Sequence, residues 1–140
     1  MLIKMKNNRL NIFSLIILFV TLLSGCDKAS INGDLDGRWQ ILEISTYNNP
    51  ENIKDRQLYY NFYLHVCILS YYGGEFTAGN FVYENNRIRL HFPYINSSEG
   101  MKLLNRYGIF SNPVTFEILY LSKNKLILQD GEITITLRKF

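Results

Sequence analysis

The sequence predicts an all-β fold of about seven or eight antiparallel strands, arranged as an up-and-down barrel or as a sandwich. Three observations support this prediction. Aromatic residues, which favour a pleated and half-buried surface, make up 14% of the chain. Short runs alternate apolar with polar residues, and tight-turn signals separate them. The three prolines lie between apolar runs, where they interrupt no strand: Pro50, Pro93 and Pro113.

The longest apolar run extends from Gln57 to Ser70 and is predicted to form one strand that ends before Gly73-Gly74. Such a strand would be about 45 Å long at 3.3 Å per residue, so we expect a bulge or a bend within it. Alternation predicts that the even-numbered residues share one face: Leu58, Tyr60, Phe62, Leu64, Val66 and Ile68.

The clearest alternation follows a turn signal at Asn85-Asn86 and predicts a hairpin with a first strand over residues 75–84. In the second strand, Ile88, Leu90 and Phe92 are predicted to face the core. The other face carries Arg87, Arg89 and His91. These cations could bind an anionic head group inside a cavity, but a solvated outer face is the more common explanation of such a stripe.

The C-terminal third is predicted to form a three-strand meander. Alternation places Val114, Phe116, Ile118 and Tyr120 on one face of its first strand. The segment 122–125 and Asp130-Gly131 supply the two turns. In the last strand the inward residues are predicted to be Ile133, Ile135 and Leu137.

One short helix is predicted in the long connection between Phe92 and Val114. Ser98 is the expected cap, Glu99 suits the first turn, and Gly108 suits the end. This connection and the segment from Tyr47 to Arg56 are the expected rims of the fold. Long connections of this kind are where binding residues concentrate.

The N-terminus has the order of a secretory signal. Lys4, Lys6 and Arg9 precede an apolar run over residues 12–23, and no acidic residue occurs before Asp27. The run is short for a membrane-spanning helix, which needs about 20 apolar residues. Removal of this segment would take away three of the fifteen basic residues and none of the twelve acidic ones. The remaining chain is near neutral, which argues against nucleic-acid binding.

Leu23-Ser24-Gly25-Cys26 resembles the bacterial lipobox. The resemblance implies cleavage before Cys26 and attachment of diacylglycerol to its sulfur, which would tether the protein to a membrane. An ordinary signal peptide that ends near a cysteine is the alternative. The predicted organisation is therefore a signal peptide over 1–25, a lipidated cysteine and tether over 26–36, and one domain over 37–140. The predicted location is the cell envelope, at the outer membrane, on either of its faces.

Gly37-Arg38-Trp39 resembles the Gly-x-Trp that opens the first strand of lipocalins. The order of the later segments is similar to the lipocalin-like lipoproteins of Bacteroides-type bacteria, many of them domains of unknown function. These segments are a first strand over 39–44, the aromatic run over 59–70, the hairpin over 81–90, Tyr107-Gly108-Ile109 and Arg138-Lys139-Phe140. The resemblance implies an up-and-down barrel with Trp39 at its bottom and a later arginine stacked on it, for which Arg138 is the candidate by position. It supplies no catalytic residues.

Two functions follow from these expectations. The first is binding of a small apolar or amphipathic molecule in the barrel, as apolar pockets allow. The candidate contact residues are Trp39, Tyr60, Phe62, Leu64, Phe81 and Tyr83. The second is an accessory protein with a filled core that contacts an envelope protein partner.

Enzymatic, metal and cofactor functions are not predicted. The sequence contains no phosphate-binding loop, nucleophile elbow or zinc-helix motif. His65 and Cys67 are two residues apart and could share a face of a strand, but a metal site needs three or four ligands. A buried apolar thiol is the simpler interpretation of Cys67.

Overall fold

A computed structural model describes residues 30–140, together with Ile12, Ser14 and residues 16–18. Cys26 and most of the predicted signal peptide and tether lie outside the described residues, so these expectations stay predictions. Among the described residues, no helix has the length and apolar character needed to cross a membrane.

Residues 30–140 form strands connected mostly by tight turns, with one α-helix, α1 (Ser98–Asn105), and two short 3-10 turns, Gly33–Leu35 and Lys54–Arg56. The strands are β1 (Gly37–Thr46), β2 (Asn49–Asn52), β3 (Leu58–Tyr63), β4 (Val66–Tyr71), β5 (Gly74–Glu84), β6 (Arg87–His91), β7 (Val114–Leu121), β8 (Lys125–Asp130) and β9 (Ile133–Lys139).

Eight of these strands close into an antiparallel barrel. The order runs from β1 through β3 to β9, and β9 pairs with β1 over residues 39–46 to complete the ring. The extra strand, β2, pairs with the second half of β1, whereas the first half of β1 pairs with β3. The predicted all-β barrel is therefore confirmed, and the sandwich is excluded.

The barrel has two different ends. We call one the floor end, where β1 begins, β9 ends, and the β3–β4, β5–β6 and β7–β8 turns lie. We call the other the helix end, where the β4–β5 and β8–β9 turns and the connection that carries α1 lie. Because neighbouring strands are antiparallel throughout, successive turns alternate between the two ends.

The floor end is closed by the segment before β1. Leu35 is fully buried, and its carbonyl accepts a 2.8 Å hydrogen bond from the Trp39 indole nitrogen. Ordered packing therefore begins before Gly37, where the sequence had placed the start of the domain. The Lys139 ammonium lies 4.1 Å from the centre of the Trp39 ring and donates to the carbonyls of Asp34 and Asp36.

The expectation that Arg138 would stack on Trp39 is wrong. Lys139 is the strand partner of Trp39, and cross-strand partners share a face, so the lysine takes this place. Arg138 points to the other face, where its guanidinium donates to the Gln40 side-chain oxygen at 2.8 and 3.0 Å.

The single long strand predicted over residues 57–70 is also wrong. The chain turns at Leu64-His65, and β3 and β4 form a hairpin in which Tyr63 pairs with Val66. Because these partners share a face, the inward residues change from even numbers in β3 to odd numbers in β4. Cys67 and Leu69 are therefore buried in β4, in place of the predicted Val66 and Ile68.

The predicted face of β7 changes at a bulge. The pairing with β8 shifts between Ile118 and Tyr120, which leaves one residue unmatched. Ile118 is buried as predicted, but Tyr120 is 50% exposed, and Leu121 packs against the core instead. The rest of the predicted hairpin and meander is confirmed, including the turns at Asn85-Asn86 and Gly131.

Helix α1 begins at Ser98, so its N-cap lies one residue before the predicted cap. The N-cap is Ser97, whose hydroxyl accepts a 3.1 Å hydrogen bond from the Gly100 amide. Gly108 follows the helix with a φ of 79° and lies against Ile135, where an added Cβ would come within 2.6 Å of a methyl carbon. A side chain at this position would therefore clash with Ile135.

Candidate functional site

The interior of the barrel is filled by aromatic and aliphatic side chains. Trp39, Tyr60, Phe62 and Phe81 are all buried. The Tyr60 and Phe62 rings stack with centroids 6.0 Å apart, and Phe81 meets Phe62 edge-on at 5.2 Å. These rings occupy the space that a ligand inside the barrel would need.

The six predicted contact residues have different positions. The structure brings Trp39, Tyr60, Phe62 and Phe81 together in the core, and Tyr83 packs against its edge. Leu64 is 45% exposed in the β3–β4 turn at the floor end, because the hairpin replaces the predicted long strand. Ligand contact by these residues stays a prediction, and none of them lines the cleft described next.

A cleft of about 330 Å³ opens at the helix end of the barrel. It lies between the 3-10 turn before β3, the β4–β5 turn and the C-terminal part of α1 with the residues that follow it. Its lining residues are Arg56, Leu58, Tyr71, Tyr72, Phe76, Leu103, Arg106 and Tyr107. We refer to this feature as the mouth cleft.

The inner wall of the mouth cleft is a fixed aromatic surface. Phe76 and Tyr107 stack with centroids 5.8 Å apart and planes 15° from parallel. The Tyr107 hydroxyl donates to the Ser70 carbonyl at 3.1 Å, and the Tyr107 carbonyl accepts from the Tyr60 hydroxyl at 2.7 Å. Both bonds connect the wall to the filled core, so it is preorganised for an apolar or planar group.

The electrostatic environment of Tyr107 keeps its side chain neutral. Burial raises the pKa of Tyr107 to about 12, partly offset by the neighbouring Arg106 guanidinium. A phenol is protonated at neutral pH in any case, and the raised pKa extends its donation to the Ser70 carbonyl into more alkaline solution. The wall presents no negative charge to a bound molecule.

The rim of the mouth cleft carries two arginines in different states. Arg56 forms an exposed ion pair with Glu51 at 2.5 Å, which neutralises its charge. Arg106 follows the last turn of α1 and is exposed, and no carboxylate among the described residues lies within ion-pair distance of it. Arg106 therefore offers a guanidinium to an acidic group at the edge of an apolar surface.

Sequence reasoning indicated this region only through its rims. Arg56 falls in the predicted rim that starts at Tyr47, and Leu103, Arg106 and Tyr107 fall in the predicted rim between Pro93 and Pro113. The Tyr71 and Tyr72 contribution was missed because the β4–β5 turn was treated only as the end of a long strand. No sequence signal shows that these three segments meet.

The His65–Cys67 pair and the cationic stripe of β6 have the simpler of the roles considered from the sequence. His65 is exposed in the β3–β4 turn, whereas Cys67 is fully buried, and burial raises the pKa of its thiol well above the usual range. Arg87, Arg89 and His91 lie on the exposed outer face of β6. Within the described part of the chain, no cluster of three histidine, cysteine or acidic side chains could hold a metal ion.

Comparison with known proteins identifies the type of fold. Residues 21–140 match the model of a family described as a lipocalin-like domain. A lipocalin-like protein from Bacteroides uniformis ATCC 8492 has a solved structure that is 23% identical, with a TM-score of 0.64; the match covers 77% of this chain and 100% of that one. An uncharacterized protein from Bacteroides eggerthii DSM 20697 is 20% identical, with a TM-score of 0.58, over 75% and 98%. No protein with a curated description matches the chain.

Proposed function

Because the chain belongs to the lipocalin-like domain family, we propose that it binds a small amphipathic molecule, and that it does so in the mouth cleft. The rings of Tyr60, Phe62 and Phe81 are buried and pack against one another, which favours the mouth cleft over the core as the proposed site. The mouth cleft has the volume of a small ligand site, since such sites start at about 300 Å³. Binding rather than catalysis is the proposed activity.

The observation that carries this proposal is the combination of an aromatic wall with an uncompensated cation. Phe76 and Tyr107 supply a flat apolar surface, and Arg106 supplies a guanidinium at its edge. An amphipathic ligand with one acidic group satisfies both features at once. A purely apolar ligand would leave the Arg106 guanidinium without an acidic partner.

A titration with matched probes tests the proposal. A fluorescent acyl chain with a terminal carboxylate is compared with the same chain ending in an alcohol. We expect the carboxylate to bind more tightly, and Arg106→Gln to weaken its binding about tenfold, which corresponds to one charge-assisted hydrogen bond. The alcohol should bind the variant and the parent protein equally.

Arg89→Gln is the control for this titration, because Arg89 lies on the exposed outer face of β6 and not in the mouth cleft. It removes the same charge from the protein and should leave both affinities unchanged. Equal loss in the two arginine variants would mean that only the net charge matters. Absence of saturable binding by either probe would refute the proposed site.

The proposed location is the bacterial cell envelope, at the outer membrane, through lipid on Cys26. The lipobox-like residues before Cys26 support this proposal, together with the basic and apolar segments that precede them. Intact-mass measurement of the protein purified from its own cells is the test. A mass that starts at Cys26 and includes a diacylglycerol supports the anchor, and an unmodified cysteine rules it out.

The second candidate function is contact with an envelope protein partner. The filled interior and the exposed Tyr71 and Tyr72 favour it, since aromatic side chains are enriched in interfaces. Native mass spectrometry of residues 27–140 separates the two functions. A co-purified small molecule favours ligand binding, whereas a clean protein mass and capture of an envelope protein that Tyr72→Ala abolishes favour the interaction function.

A further inference from the structure

An exposed apolar surface lies at the floor end, opposite the mouth cleft. Its members are between 39% and 57% exposed and come from the segment before β1, from the β3–β4 hairpin and from β5. We call it the floor patch. It consists of Ile31, Tyr63, Leu64, Val66 and Val82.

Three pairings bring these residues to the same side of the barrel. The Asn32 side-chain amide donates to the Leu64 carbonyl at 2.9 Å, which places Ile31 beside the β3–β4 turn. Tyr63 and Val66 are strand partners and so share the outer face. The Phe81 amide donates to the His65 carbonyl at 2.9 Å, which places Val82 next to the same turn.

The sequence before the floor patch limits what can cover it. Ile31 is the fifth residue after the predicted lipid attachment at Cys26, and five residues of fully extended chain span about 18 Å at most. A lipid on Cys26 therefore keeps the floor end close to the bilayer, whatever conformation the segment has. The helix end lies a whole strand length farther away.

We infer that the floor patch rests on the membrane surface, so that the mouth cleft faces away from the bilayer. The inference depends on the anchoring that we propose at Cys26. Tyr63 suits the water–lipid boundary, since its ring is apolar and its hydroxyl can remain hydrated. Leu64, Val66, Val82 and Ile31 supply the side chains that enter the boundary region.

Tryptophan reporters with lipid-borne quenchers test this orientation. The closed barrel lies entirely within residues 30–140, so a protein of residues 26–140 retains the fold. Cys26 is coupled to a maleimide lipid in vesicles of phosphatidylethanolamine and phosphatidylglycerol that contain brominated acyl chains. Cys67 does not compete for the maleimide because it is fully buried.

Two variants are compared, Tyr63→Trp in the floor patch and Tyr72→Trp at the helix end. Both replace an exposed tyrosine by tryptophan, and the buried Trp39 gives both the same background. We expect brominated lipid to quench Tyr63→Trp about threefold more strongly, since side chains at the boundary enter it by about 5–10 Å. Acrylamide in the water should quench Tyr72→Trp more strongly.

Equal lipid quenching of the two variants, or stronger quenching of Tyr72→Trp, would overturn the orientation. A second outcome would also overturn it: Tyr63→Trp is protected from acrylamide but not quenched by lipid, and the protection increases with the density of protein on the vesicles. This outcome would assign the floor patch to contact with a second copy of the chain. The chemical tether separates these outcomes from the proposed function. Lack of lipid on the native Cys26 would appear in the intact mass, and lack of ligand binding would appear in the probe titration.

Discussion

At the scale of single residues, the buried tyrosines connect the core to the mouth cleft. The Tyr60 hydroxyl donates to the Tyr107 carbonyl in a fully buried environment. Tyr60→Phe keeps the ring but leaves that carbonyl unpaired. We expect the free energy of unfolding, measured by urea denaturation, to fall by about 1–2 kcal/mol.

Tyr63→Phe is the matched control, because the Tyr63 side chain is 57% exposed at the end of β3. Its stability should change by less than about 0.5 kcal/mol. A similar loss of stability in both variants would show that the hydrogen bond from Tyr60 to Tyr107 makes no specific contribution to the free energy of unfolding.

Ionisation of Tyr107 is expected to lower the stability of the protein at alkaline pH. In the unfolded chain its phenol ionises near pH 10, whereas burial raises the pKa of Tyr107 to about 12 in the folded state. Its contribution is therefore complete below about pH 10 and is lost as the pH rises to about 12. We expect the parent protein to lose stability relative to Tyr107→Phe across this interval, as measured by urea denaturation at each pH.

The comparison with Tyr107→Phe removes effects that both proteins share, including those of Tyr60 and Cys67, whose pKa values burial also raises. A difference between the two proteins that stays constant from pH 9 to pH 12 would contradict the prediction.

Single residues were also where the sequence was least decisive. Trp39 could be placed at the bottom of the barrel, but its cationic partner was expected one position too early. Arg138 and Lys139 are adjacent cations at the end of β9, and only the register with β1 determines which of them faces Trp39. Which of two adjacent residues faces Trp39 depends on how β9 pairs with β1, and a single sequence does not reveal that register.

At the scale of elements, two neighbouring serines at the start of α1 have different roles, because only one of them caps the helix. Ser97 accepts the Gly100 amide, whereas the Ser98 hydroxyl reaches only the exposed Glu99 carboxylate. We expect Ser97→Ala to destabilise the protein by about 1 kcal/mol in urea denaturation, because a helix amide loses its acceptor. Ser98→Ala should change the stability by a few tenths of a kcal/mol.

Because α1 carries Leu103 to the mouth cleft, Ser97→Ala should also weaken probe binding, while Ser98→Ala should not. A larger loss of stability in Ser98→Ala than in Ser97→Ala would instead support Ser98 as the cap, as the sequence predicted.

Turns explain which elements could be predicted. The hairpin at Asn85-Asn86 and the meander turn at Asp130-Gly131 contain residues that tolerate positive φ, and both were found correctly. The turn at Leu64-His65 contains no such residue, although Leu64 has a φ of 55°, so β3 and β4 were read as one strand. Strand β2 was missed because its four residues are all exposed and show no alternation.

At the scale of the whole molecule, the closed floor is expected to be a main source of stability. Leu35 is fully buried against Trp39 although it precedes the first strand. We expect Leu35→Ala to lower the free energy of unfolding by about 2–5 kcal/mol, as for other buried leucines that leave a cavity. Thermal and urea denaturation measure the effect.

Ile31→Ala serves as the control, since Ile31 lies in the same segment but is exposed. Little change in that variant together with a large change in Leu35→Ala would confirm that the segment before β1 is part of the fold. Similar small effects in both would mean that it only covers a barrel that is stable without it.

Closure of the barrel and assembly of the mouth cleft are properties of the whole chain. Alternation and turn signals predicted the β5–β6 hairpin and the C-terminal meander, and the resemblance to lipocalins predicted the barrel. The filled interior follows from how large rings such as Tyr60 and Phe62 fit together, which depends on the barrel radius as well as on composition. The mouth cleft joins three segments far apart in sequence, so no local pattern could have revealed it.

The filled interior has a consequence for how fast the proposed ligand would exchange. A ligand enclosed in a hollow barrel must wait for loops to open before it can leave, whereas a molecule in the mouth cleft is limited only by its own contacts. We therefore expect fast arrival, short residence and occupancy that follows the surrounding concentration within moments. A protein with such a site is better suited to handing molecules on, or to reporting their level, than to storing them.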